Sequence, residues 1–324
     1  MARFLLLASL PILLFAKGKT IYEAEGPNLV APWLTGPLIT PSAYIIPVGH
    51  VNVEPYLYAV ANTGAYGSNW KSIKKPNFWS IYSQTTIQIG LTSQMSFQFN
   101  PTAYWQHTQH QASWAFGDMP IALDIQLYHA RQSSKIPNVK LSLREILPTG
   151  KYRNLGPNKL KTDAGGAGAW NTGFALILGN IYDLSGVHFF NYRLALIYAA
   201  PSPVHLKGFT FYGGGFGTDG RFYPPQSFQL ELGLEFTLAQ KWAFALDLVG
   251  GTGKKPRFTG QIGTDADGAP ASFDTKAQTQ FSLAPAIEYN WNADCGIVFG
   301  SWFTVAGRNS PIFSSGVFAF NGYF

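Results

Sequence analysis

The stretch FQLELGLEFTL, residues 228–238, sorts its side chains by parity. Phe228, Leu230, Leu232, Leu234, Phe236 and Leu238 fall on one face, and Gln229, Glu231, Gly233, Glu235 and Thr237 on the other. A period of 2 belongs to a strand, and no helix could separate those two sets. The pattern recurs at 80–91, where Ile81, Ile87, Ile89 and Leu91 oppose Ser80, Tyr82, Gln84, Thr86 and Gln88. It recurs again at 94–105, with Met95, Phe97, Phe99, Ala103 and Trp105 against Gln94, Ser96, Gln98, Asn100 and Thr102. The chain ends on a segment of the same kind, GVFAFNGYF, in which Phe318, Phe320 and Phe324 share a face. An apolar strand face needs a dry neighbour, either a sandwich core or the hydrocarbon of a membrane.

Connection lengths separate the two. The pattern predicts twelve strands, near 48–60, 77–91, 94–106, 119–128, 138–147, 168–179, 187–199, 226–238, 242–251, 278–290, 296–306 and 312–324. Tight turns near 92, 240 and 293 alternate with long polar connections at about 61–76, 106–118, 148–168, 201–226 and 252–276. Short inner turns and long outer loops are the rhythm of an outer-membrane barrel. The expected fold is therefore all-β: a transmembrane, antiparallel, up-and-down β-barrel of twelve strands over residues 48–324. Residues 205–215 read as part of an outer loop or a projecting hairpin; a hairpin inside the membrane would raise the count to fourteen. Trp79, Trp105 and Trp170 sit at predicted outer strand ends, and Trp242, Trp291 and Phe324 at turn ends, as two interfacial belts require.

Composition sharpens this picture. Charged residues make up 12% and aromatics 15%, with 34 glycines, yet mean hydropathy is only +0.02. Apolar and polar residues must alternate closely. The opening MARFLLLASLPILLFAKGK has a short apolar run from Phe4 to Phe15, below the roughly 20 residues of a membrane helix, and reads as a signal peptide over 1–16. Residues 17–47 are then an N-terminal periplasmic segment or a short plug. No later run is long enough for a membrane helix. A lone Cys295 excludes an internal disulfide framework, and a formal charge of +6 without a basic motif gives no case for nucleic acid.

The parity opposite the apolar face carries the strand charges. Asp124, Lys140, Arg144 and Arg193 lie on one predicted wall of the lumen, and Glu231, Glu235, Asp247 and Glu288 on the other. Such a field could orient a polar solute. Alternatively the groups pair across the lumen and fill it. Pro55, Pro101 and Pro285 each remove a ladder hydrogen bond. Asn100–Pro101 marks either a bulge or a side exit through the wall for a hydrophobic solute. His107, His110 and Ser113 lack a fixed third group, which argues against an enzyme and against a metal site. Asp265 and Asp267 lack most ligands of a calcium loop. No cofactor is expected. Lys71, Lys74, Lys75 and the other loop cations suit either lipopolysaccharide phosphates or an ordinary solvated face.

Three stretches resemble the outer-membrane family labelled for the meta-cleavage pathway of phenol degradation, a set of transporter-like barrels distantly similar to fatty-acid uptake channels. They are GLTSQMSFQFNP at 90–101, FGDMPIALDIQL at 116–127 and PNVKLSLREILPTGKYRN at 137–154. The resemblance implies passage of small hydrophobic or aromatic compounds across the bacterial outer membrane. A terminal Phe324 resembles the end signal read by that membrane's barrel assembly machinery. The sequence thus predicts a passive channel, with a closed structural or surface-interaction barrel as the alternative.

Overall fold

The computed structural model describes residues 32–130, 135–265, 267–273 and 275–324. The expected signal peptide and residues 17–31 lie outside the described residues.

Alternation becomes strand throughout. In chain order the strands are β1 (Val51–Tyr66), β2 (Ser72–Thr92), β3 (Met95–Phe99), β4 (Thr102–Thr108), β5 (Gln111–Phe116), β6 (Met119–Tyr128), β7 (Asn138–Leu147), β8 (Asn171–Ser185), β9 (His188–Pro201), β10 (Val204–Lys207), β11 (Asp219–Tyr223), β12 (Ser227–Ala239), β13 (Trp242–Gly253), β14 (Arg257–Gln261), β15 (Gln278–Asn290), β16 (Cys295–Arg308) and β17 (Pro311–Tyr323). Neighbours pair antiparallel around a ring, and β1 closes it by pairing with both β2 and β17. The closing seam continues to the last residue: Val51 N donates to Phe324 O at 2.9 Å, and Phe324 N to Val51 O at 2.8 Å. No wall edge is left open there, which is the condition for crossing lipid with strands.

Two wall strands are interrupted. β3 and β4 lie end to end along β2, while β6 and β5 pair with β3 and β4 respectively. Counting each broken pair as one strand gives a twelve-stranded wall. β10, β11 and β14 form a separate three-stranded sheet, so the hairpin within 201–226 projects beyond the barrel and the count stays at twelve. Its small core holds Ala169, Val204, Leu206 and Phe222, packed by Tyr152, Tyr212, Phe258 and Phe273. Burial pushes the Tyr212 phenol well above its ordinary value.

Two expected outer loops are strand instead. The 61–76 region continues β1 and β2, and the 106–118 region is the β4–β5 hairpin with a turn at residues 109–110. The reason is visible on the outward face: Trp105 pairs with Trp114 and Ala103 with Phe116, so alternation persists beneath a polar run.

Burial is inverted relative to a water-soluble protein. Glu231, Glu235, Asp247 and Glu288 are 4%, 1%, 0% and 0% exposed, whereas Phe299 and Phe116 are 60% and 81% exposed. Hiding carboxylates while displaying phenylalanine lowers free energy only when the outer solvent is hydrocarbon. Phe318 and Phe324 are among the exposed rings, as are Trp79, Trp170, Trp242 and Trp291 near the strand ends.

Candidate functional site: the lumen and its inner segment

Inward parity collects the eight predicted charges, and register decides their partners. Lys140 on β7 donates to Asp124 on the adjacent β6 at 2.9 Å, and Arg193 on β9 meets Glu235 on the adjacent β12 at 3.1 Å. The ion pairs join neighbouring strands and do not cross the lumen, so the predicted opposition of two charged walls resolves into local pairs. Arg144 lines the lumen with its Nε on Ser142 Oγ at 3.3 Å, and it has no ion pair among the described residues. Glu231 takes a hydrogen bond from Gln229 on one oxygen; the other has no partner among the described residues.

Asp247 and Glu288 have a different task. Both receive peptide groups of residues 32–47, which run inside the barrel. Thr35 N and Gly36 N donate to Glu288 Oε2 at 2.7 and 3.3 Å. Ile39 N donates to Asp247 Oδ2 at 3.1 Å; Thr40 N and Oγ1 donate to Asp247 Oδ1 at 2.9 and 2.6 Å. Further on, Ile45 N donates to Gln126 Oε1 at 3.2 Å and Lys140 Nζ to Tyr44 O at 3.4 Å. An irregular segment has no ladder to satisfy its peptides, and wall side chains supply the partners. Wall glycines give it room. A Cβ on Gly233 would stand 2.8 Å from Pro37 Cγ, and one on Gly90 only 1.8 Å from Pro47 O. The turn at the inner end contributes Asp294, whose carboxyl is raised by burial and partly lowered again by His50.

Alongside the segment runs a cavity of about 720 Å³. Its lining extends from Asp294 in the inner turn to Asn171 and Ser227 at outer strand ends. One side is aromatic: Tyr56, Tyr58 and Tyr82 line it, with Tyr58 directly opposite Tyr82 at 4.5 Å between ring centroids and Tyr56 stacked on Tyr58 at 5.8 Å; Tyr104, opposite Tyr82 on β4 at 5.1 Å, extends the arc beyond the lining. A second cavity of about 410 Å³ lies toward the outer end, lined by Phe78, Phe211 and Phe313 among others. Tyr82 and Trp302 line both cavities. Sequence reasoning missed this arc because it looked for charge at inward positions. The signal was there: these tyrosines share parity with Gln84, Gln88 and Gln106.

The wall is stitched across Asn100–Pro101. Asn100 N donates to Pro120 O at 2.9 Å, Gly117 N to Thr102 O at 2.8 Å and Thr85 N to Pro101 O at 3.1 Å. Above the break β5 pairs only with β4 among the described strands, since β7 stops at Leu147. The connection after β7 fills in. Thr149 Oγ1 donates to Gly117 O at 2.8 Å, and Asp118 accepts from Gly150 N at 2.9 Å and Ala167 N at 2.7 Å. The Gly-Asp and Leu-Pro-Thr-Gly elements of the motif resemblance therefore meet in space.

The other predicted groups are not assembled for chemistry. His107 stacks outward on Trp105 at 5.8 Å, while Ser113 accepts from Thr162 on the inner side at 3.2 Å. Asp265 Oδ1 accepts from Asp267 N and Ala269 N, an ordinary loop turn. No group of three metal-ligating side chains occurs among the described residues.

With this geometry the chain can be set beside solved structures. The crystal structure of the COG4313 outer membrane channel from Pseudomonas putida F1 superposes with a TM-score of 0.65 at 13% identity, covering 88% of this chain and 100% of that one. The two share a fold. The beta domain of the Bordetella autotransporter BrkA overlaps at a TM-score of 0.45 and 10% identity, over 86% of this chain and 100% of that domain. The NanC porin overlaps at 0.41 and 8%, over 82% and 97%. Those two overlaps are too loose to build on. No protein-family model and no curated protein matches the chain.

Proposed function

We propose that this chain is an outer-membrane channel for the passive uptake of small hydrophobic or aromatic compounds. The observation that carries the reading is the cavity of about 720 Å³ that follows the lumen from one end to the other, with an aromatic side and a polar side. A filled structural barrel has no use for such a passage. The shared fold with the Pseudomonas channel and the motif resemblance to phenol-degradation transporters support it. Residues 32–47 act as a plug that narrows the path without closing it, and the eight charged lumen residues hold that plug and tune the path. The outer loop cations dock lipopolysaccharide, and Phe324 engages the assembly machinery.

A side exit is a second reading, favoured by the coincident breaks at Asn100–Pro101 and Gly117–Asp118 in adjacent wall strands. Hydrogen exchange as slow at Thr102–Gln106 as at Met95–Phe99 removes the exit. For the channel itself, planar bilayers and liposome swelling with neutral aromatic solutes are the test. A steady current with swelling supports uptake; an electrically silent, heat-modifiable barrel that excludes every solute leaves the structural alternative.

A further inference from the structure

Six carboxylates face the lumen from the wall strands: Glu54, Asp124, Glu231, Glu235, Asp247 and Glu288. Three cations face them, Lys140, Arg144 and Arg193. Ion pairs occupy Asp124 and Glu235. Asp247 and Glu288 accept peptide N–H groups, which satisfy oxygen lone pairs but bring no positive charge. Glu54 is held by the amides of Asn52 and Asn321, each at 2.8 Å, again neutral donors. Arg144 makes no ion-pair contact among the described residues and acts most strongly on Glu231, so by formal charge the lumen holds six carboxylates against three cations.

Two of the carboxylates without an ion-pair contact among the described residues line the larger cavity. Glu54 is one; Glu231, 4% exposed and with one oxygen unpartnered among the described residues, is the other. The same cavity is lined by Tyr56, Tyr58 and Tyr82, stacked on one another into an aromatic surface. A cation gains from the carboxylates through charge attraction in a poorly hydrated space, and an apolar body gains from the aromatic surface. An organic anion meets Arg144 and Arg193, the latter already paired with Glu235, in a lumen whose formal charge is net negative.

We propose that this cavity binds organic cations: a protonated primary amine on a small apolar or aromatic body, the ammonium taken by Glu231 and the body lying against the tyrosine arc. The proposal rests on the channel reading and names its substrate class. Three ligands with one ring test it on the full mature chain in detergent: phenethylammonium, 2-phenylethanol and phenylacetate, titrated by calorimetry. Phenethylammonium should bind at least about tenfold more tightly than 2-phenylethanol, with phenylacetate weakest. Glu231→Gln should remove most of the amine's advantage and leave 2-phenylethanol unchanged. Tyr58→Leu with Tyr82→Leu should weaken the amine and 2-phenylethanol together. In a KCl gradient across a bilayer, the reversal potential of the unmodified chain should lie on the potassium side. Equal binding of amine and acid, or a chloride-selective current, overturns the proposal without needing any variant. Swelling driven by 2-phenylethanol alongside either result leaves the channel standing; absence of conduction for every solute fails the channel reading instead.

Discussion

Replacing Asp247 by alanine should open the lumen. This carboxylate accepts three hydrogen bonds from Ile39 and Thr40, at 3.1, 2.9 and 2.6 Å, and lies fully buried beneath the inner segment. Hydrogen bonds to a charged acceptor contribute about 1.5–3 kcal/mol each when their loss leaves the donors dry. Water entering a polar lumen re-solvates the freed peptides, which brings the combined effect down to about 3 kcal/mol. At 1.4 kcal/mol per tenfold, the balance between seated and displaced segment shifts about a hundredfold. Single-channel recording reads this directly, as longer or larger openings in Asp247→Ala than in the unmodified chain. Gly233→Val provides a charge-neutral companion, since its Cβ would press on Pro37 and Thr40 at 2.8–2.9 Å. Both variants should behave like a chain lacking residues 32–47. If all three conduct exactly as the unmodified chain does, the segment is not what limits passage.

Other outcomes follow from the same geometry. Lys140→Met strands the Asp124 carboxylate, whose side chain is 4% exposed, and should cost about 3 kcal/mol of unfolding stability in lipid vesicles; adding Asp124→Leu should restore most of it. Phe299→Arg places a charge on the lipid face and should destabilise by about 2–4 kcal/mol if the residue sits near mid-bilayer, in the same vesicle assay. Asp118→Ala removes the shared acceptor of Gly150 N and Ala167 N, and should speed amide exchange in residues 148–168 while leaving β12 and β13 protected.

The wall was legible because a barrel in lipid enforces period 2 on every strand, and 228–238 keeps it without exception. Residues 201–226 were readable as an outer loop or projecting hairpin, whereas β14, the third strand of that sheet, lay within what reads as a long polar connection. The β4–β5 hairpin was hidden by the polar run from Gln106 to Gln111, even though Trp105, Trp114 and Phe116 continue the outward face. Ion pairing was unreadable for a different reason: whether Arg193 meets Glu235 depends on the register of β9 against β12, which a sequence pattern leaves free. Residues 17–47 read as either a periplasmic segment or a short plug, and the choice was unreadable because the bonds of 32–47 to the wall come mainly from peptide groups, and a backbone N–H leaves no mark on residue type. The tyrosine arc was overlooked because Tyr82 fell among the polar, inward positions, where only charged residues were weighed as candidates.

Uptake by intact cells is the most direct measurement of transport. Gram-negative cells with an unbroken lipopolysaccharide layer, with and without this chain in the outer membrane, are given a radiolabelled small aromatic compound at low external concentration. Initial uptake should rise several-fold with the chain present, and rise again when Asp247→Ala is introduced. Uptake that is the same in all three strains, with the barrel verified as inserted, contradicts a role in passage.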